Sequence, residues 1–117
     1  MRTLTKELQD KITPSLALKL LQEGNSRFVN NLKINRNLLQ QVDETMDGQH
    51  PFAVILSCID SRTSAELLFD QGLGDVFVVR TAGTVIDPGV LGSLEFGVEV
   101  LGTPLIVVLS HTSCGAI

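Results

Sequence analysis

The chain has no tryptophan and no tyrosine; five phenylalanines supply its aromatic rings. Nine Lys and Arg stand against 13 Asp and Glu in 117 residues, a net charge of −4. Without a basic patch or an aromatic platform, a nucleic-acid surface is excluded. No apolar run approaches the roughly 20 residues that cross a bilayer, so no membrane partner is expected. The opening residues Met1-Arg2-Thr3-Leu4-Thr5-Lys6 lack the hydrophobic region of a secretory signal, so a cytoplasmic location is expected. Cysteine and histidine are scarce, two of each. In a reducing compartment the two cysteines stay as thiols, and metal ligation is favoured over a structural disulfide.

What remains is ordinary globular material, 44% hydrophobic and 19% charged, enough for one domain with one core. Residues 1–12 are polar and mixed in charge and read as a loose arm. Thr13 as a cap, Pro14 at the first helical position and Leu16, Leu20, Leu21 and Phe28 at helical spacing predict a helix. A second helix is expected over 35–46, carrying Leu38, Leu39, Val42 and Met46, before Gly48-Gln49-His50-Pro51 breaks the pattern. Three uncharged or nearly uncharged runs then read as strands: 52–56, 75–79 and 105–109. Between the first two, Thr63-Ser64-Ala65-Glu66 fits a capping box with Thr63 as the cap. Between the last two, Pro88 opens a helix expected to run to Val100. Apolar strands alternating with helices predict an α/β fold, a parallel sheet covered by helices on both faces and preceded by an N-terminal helical arm. The arm occupies about 1–48 and the core about 49–117 of a single domain.

Both cysteines and one histidine fall just after strands. Cys58-Ile59-Asp60-Ser61-Arg62 follows the first strand, and His111-Thr112-Ser113-Cys114-Gly115 follows the third. If the strand order is 2-1-3, these segments meet at the switch point between strands one and three, where open α/β sheets place their ligands. Two thiolates and an imidazole are the protein donors of an open tetrahedral zinc site, leaving a fourth position for water or a carboxylate. Asp60 is a carboxylate able to take that position, and Arg62 a cation able to hold it away. Taken singly, either cysteine would be a small buried hydrophobe; the joint pattern points to one Zn²⁺ per chain. Arg80 reads equally well as a dimer contact or as half of a structural salt bridge. His50 reads as an exposed turn residue.

The blocks PFAVILSCIDSR (51–62) and LIVVLSHTSCGAI (105–117) closely resemble the signature segments of β-class carbonic anhydrases. DVFVVRTAG (75–83) resembles a third block, and GNSRF (24–28) resembles the N-terminal helix element. The resemblance implies reversible hydration of CO2 to bicarbonate and a proton through zinc-bound hydroxide. It implies Cys58, His111 and Cys114 as zinc ligands, with Asp60 and Arg62 as a catalytic dyad whose aspartate also binds zinc in some members. Gln49 matches a glutamine that hydrogen-bonds substrate, and Phe77 an aromatic of the pocket wall. Both groups are commonly supplied across a dimer interface, so a homodimer or higher homo-oligomer is expected.

The sequence also departs from the family pattern. Thr81 and Thr84 stand where the family usually has asparagines, and Ser110 where a glycine commonly precedes the histidine. Family members continue well past the position of Ile117, so the core is expected to be incomplete at its C-terminus. The alternative function is accordingly a zinc-binding but catalytically inactive homologue or interaction module.

Overall fold

The structure is a computed structural model that describes residues 3–117, so Met1 and Arg2 of the expected arm lie outside it. Its centre is a parallel sheet of three strands, β1 (Ala53–Cys58), β2 (Val76–Thr81) and β3 (Ile106–Val108), in the order β2-β1-β3. Every residue of β1 is buried, which fits an uncharged central strand covered on both faces. The register pairs Ala53 with Val76 and Cys58 with Thr81 on one side, and Val54 with Ile106 and Leu56 with Val108 on the other. The order expected from the sequence is the order found.

Among the described residues five α-helices surround the sheet: α1 (Lys6–Asp10), α2 (Pro14–Val29), α3 (Leu38–Glu44), the single turn α4 (Ala65–Leu68) and α5 (Pro88–Glu95). On one face Ala53 and Ile55 pack with Ala17, Leu21 and Ala65 of α2 and α4. On the other, Val54 and Leu56 pack with Val90 and Leu94 of α5. The period-two alternation of β1 thus feeds two separate cores. Helix α2 crosses α4 so closely at Gly24 that an added Cβ would lie 1.7 Å from the Phe69 carbonyl oxygen. Glycine is required there for the close approach.

Four local expectations are corrected. The arm is not loose throughout: Thr5 caps α1, and buried Gln9 donates from its amide to the carbonyls of Pro51 (2.8 Å) and Leu101 (3.0 Å). The second helix is shorter than expected because Asn37 caps it, its side chain accepting from the Gln40 amide. Its apolar residues do not pack: Leu38, Leu39 and Val42 are all exposed. Ser64, not Thr63, is the N-cap residue of α4, and it makes no side-chain capping bond. Finally, the long helix after Pro88 changes at Phe96 into a π-helical turn, Phe96–Val100. Gly97 of that turn lies against β1; a Cβ there would approach Val54 Cγ2 to 2.7 Å.

Besides Gln9, one carboxylate of the core gathers several groups of the arm. Buried Asp70 accepts from Arg27 of α2, from both the guanidinium of Arg36 (2.8 Å) and the Ile34 amide (3.0 Å), while its own backbone carbonyl accepts from both arginines. Burial alone would raise its carboxyl, but the hydrogen bonds from Arg27, Ile34 and Arg36 outweigh it and lower the group to about 2. The folded state therefore holds this proton less tightly than the unfolded chain, whose carboxyl titrates near 3.8. The stabilisation is complete above that value and is lost as pH falls toward about 2. Asp70→Asn is expected to cost about 3–5 kcal/mol at pH 7, the usual consequence of removing one member of a buried charged cluster. Urea unfolding of metal-free protein at pH 7 and pH 3 checks this: the deficit of the variant should shrink at the lower pH, and equal midpoints at pH 7 would refute it.

Candidate metal centre

The fold sends β1 and β3 out of the sheet side by side, and the two segments leaving their carboxyl ends carry the donors. Cys58 is the last residue of β1 and is buried. His111 and Cys114 lie in the loop after β3, where Ser113 takes a positive φ of 56° to turn the chain back. One donor atom from each of Cys58, His111 and Cys114 lies within 4.8 Å of the other two. Both cysteines are free thiols, and their sulfurs are 3.8 Å apart. Two sulfurs bound at about 2.3 Å to one tetrahedral ion would sit about 3.8 Å apart. The separation fits a shared metal and is far too long for a disulfide, at about 2.05 Å.

The histidine is oriented to match. Its Nδ1 lies 2.8 Å from the Thr112 carbonyl oxygen, which fixes the proton on that nitrogen. Nε2 is buried and has no hydrogen-bond partner, a lone pair left without a proton donor. A buried polar atom in this state is costly unless something else satisfies it, and a cation beside two thiolates would do so. The charges around Cys58 favour its thiolate, the form that ligates a metal: the His111 imidazole, then the backbone at Asp60 and the Gly83 amide, lower the thiol to about 6. The same contact with Cys58, and the Thr112 carbonyl, raise His111, so a cation has to compete with a proton for that imidazole.

Asp60 is not part of the donor group. The Arg62 backbone amide (2.8 Å) and Nε (3.0 Å) donate to its Oδ1, and Arg62 Nη2 (2.7 Å) donates to Oδ2. These bonds hold the Asp60 carboxyl well below the usual carboxylate range. Oδ2 stays within 3.9 Å of His111 Nδ1, so the carboxylate stands beside the donors while being turned toward the arginine. A cavity of about 260 Å³ opens next to them, with Arg62, Thr63, Leu68, Ser110 and His111 in its walls. Ser110 is exposed there.

The remaining residues singled out from the sequence lie elsewhere. Gln49 is exposed in the loop before β1. Phe77 pairs with Val54, four residues back along the strands from the Cys58–Thr81 pair, which is roughly 13 Å. It lines a separate groove of about 480 Å³ with Val79, Phe96 and Gly97. Within one chain, neither residue reaches the cysteines. His50 is half-buried and also outside the group.

Two contacts were not legible in the sequence. The Gly83 amide, at a positive φ of 68°, donates to Cys58 Sγ at 3.3 Å. Beside it Thr84, a β-branched residue, is held at φ 58°, a conformation that costs such residues about 1–2 kcal/mol. Asparagine, the usual residue of the resembling family at this position, tolerates that region well. Arg80 meets no carboxylate among the described residues; its guanidinium instead donates to the carbonyls of Cys58 and Asp60.

These features define an α/β protein with a cluster of two thiols and an imidazole that could hold a metal at the switch point of its sheet. Residues 53–117 match the family model described as carbonic anhydrase, and the chain belongs to that family, in its β class. It is 57% identical over 107 residues to carbonic anhydrase 2 of Mycobacterium tuberculosis and 53% identical over 105 residues to the carbonic anhydrase of Mycolicibacterium smegmatis. Each alignment covers 89% of this chain and 51% of the relative, so the chain spans about half the length of these relatives. Among solved structures it is similar to the β-carbonic anhydrase CafA of Aspergillus fumigatus, with 30% identity and a TM-score of 0.59 over 86% of this chain and 47% of that one.

Proposed function

We propose that the chain holds one zinc ion and catalyses the reversible hydration of CO2 to bicarbonate. One observation carries this reading. Three converging donors stand beside an aspartate that an arginine keeps charged and turned aside. A purely structural zinc site closes with a fourth protein ligand and has no use for such a pair.

Cys58 Sγ, Cys114 Sγ and His111 Nε2 would hold the ion. When bound, zinc makes water acidic enough to supply a nucleophile near neutral pH, lowering its pKa from 15.7 to about 7. Asp60, ionised by its contact with Arg62, is the acceptor that orients this nucleophile's proton away from the incoming carbon. Arg62 holds that carboxylate with two side-chain bonds in one plane, a geometry lysine does not offer, and so would leave the fourth position of a bound ion to water. The cavity beside His111 admits a small neutral substrate. Gln49 and Phe77 serve a substrate only if a second copy brings them near, so the working form is a homodimer or larger. Reduced thiols as ligands suit a cytoplasmic setting, and no helix among the described residues is long and apolar enough to cross a membrane. The helical arm, about 1–48, and the core, about 49–117, act as one domain.

The second reading, a zinc-holding chain without turnover, is favoured by the distance of Gln49 and Phe77 from the donors within a single chain. Stopped-flow CO2 hydration, with zinc quantified on the same sample, decides between them. One zinc per chain with turnover that rises with pH is the expected result. Zinc without turnover would establish the second reading, and a chain that retains no zinc would overturn both.

A further inference from the structure

Arg80 is the last-but-one residue of β2, opposite Ser57, and its side chain reaches past the strand end into the turn that carries Cys58 and Asp60. Nε donates to the Cys58 carbonyl at 2.8 Å and Nη2 to the Asp60 carbonyl at 2.6 Å. The Thr63 hydroxyl lies 3.3 Å and 2.9 Å from the same two oxygens, and the Thr63 amide donates to the second at 3.0 Å. The Ile59 amide between them continues the ladder to the Thr81 carbonyl at 3.2 Å. Each carbonyl of the turn that flanks a functional side chain is thus gripped from two directions.

We infer that Arg80 is a positioning residue for the metal centre. Its rigid guanidinium fixes the spacing of the Cys58 and Asp60 carbonyls, and through them sets where the first thiolate and the neighbouring carboxylate stand relative to each other. This rests on the zinc reading above. The argument is geometric. A guanidinium presents Nε and Nη2 in a fixed plane, so two bonds to two carbonyls leave the intervening peptide units little freedom. Both carbonyls belong to residues whose side chains face the centre. Lysine carries a single rotatable ammonium and can satisfy one carbonyl well but does not fix their separation. Arg80 touches neither a donor atom nor the cavity beside His111, so it acts only through the turn.

The test uses Arg80→Gln and Arg80→Lys in the full chain, with three readouts: zinc affinity by chelator competition, the absorption spectrum of the cobalt(II)-substituted protein, and urea unfolding of the metal-free protein. Both variants are expected to weaken zinc binding by about 10- to 100-fold, the usual range for groups that orient metal ligands. The ligand-field bands of cobalt should shift and lose intensity as the donor geometry relaxes. The metal-free unfolding midpoint should fall by no more than two lost hydrogen bonds account for, because Arg80 is exposed and adds no apolar burial, and its loss leaves the Thr63 hydroxyl on both carbonyls. Unchanged affinity and cobalt bands in Arg80→Gln would overturn the inference. Full retention of both in Arg80→Lys alone would also overturn it, since charge rather than a two-point grip would then suffice. A parent chain that binds neither metal is a different failure, that of the zinc reading itself, and is recognised because it precedes any substitution.

Discussion

Cys114→Ser is expected to strip the chain of zinc at ordinary concentrations and with it all CO2 hydration. Structural zinc binding in small peptides is worth about 10–16 kcal/mol over four donors, or about 2.5–4 kcal/mol for each. At 1.4 kcal/mol per tenfold, losing one thiolate should raise the zinc dissociation constant by roughly 10²- to 10³-fold. The loss falls on a site with few reserves. Among the described residues only His111 and Cys58 share the donor group with Cys114. Asp60 cannot fill in without breaking three bonds to Arg62. Serine nearly preserves size but offers a neutral hydroxyl in place of a thiolate, so a folding defect is not the expected cause. Chelator competition on the variant, with circular dichroism to check the fold, gives the answer; zinc retained at parental affinity would remove Cys114 from the donor set.

Asp60→Ala is expected to separate chemistry from metal binding. The aspartate is outside the donor group, so zinc should remain at close to one per chain. Turnover should drop by about 10²- to 10⁴-fold, the range supplied by a positioned proton acceptor. Arg62 would be left with its weak 3.4 Å contact to the Ser113 carbonyl and free to swing into solvent. Undiminished kcat/KM with full zinc would exclude Asp60 from the mechanism. Loss of zinc in step with activity would instead make it a ligand.

The sheet order and the convergence of Cys58, His111 and Cys114 were legible because both depend on short-range signals. β1 is an uninterrupted apolar strand, and the rare residues of the chain sit directly at the ends of two such strands. Strand ends were read less well: β1 runs on to Cys58 and β2 to Thr81 because they pair with each other, which no local propensity of Ser57 or Arg80 announces. Thr63 resembles a helix cap in sequence, yet its hydroxyl turns inward to the carbonyls of Cys58 and Asp60. Gln9 and Asp70 look like surface polar residues, and their burial follows from partners 34 to 92 positions away. For Arg80, sequence logic sought a carboxylate or a partner subunit, and the side chain found backbone oxygens within its own fold. For Gln9, Asp70 and Arg80 the signal that was missed is a long-range hydrogen bond, and for Thr63 a local bond that turns back to the preceding strand end; neither leaves a mark on hydrophobic periodicity.

The two sulfurs lie 56 positions apart along the chain. An ion shared between them would behave as a removable cross-link around everything from α4 to β3. Closing a loop of that length in the unfolded chain withdraws entropy worth on the order of 4 kcal/mol when the link is covalent. With zinc held as proposed, metal occupancy would govern how long the crossover stays assembled as well as the chemistry at its mouth, and a chelator would act on this chain as a denaturant in slow motion.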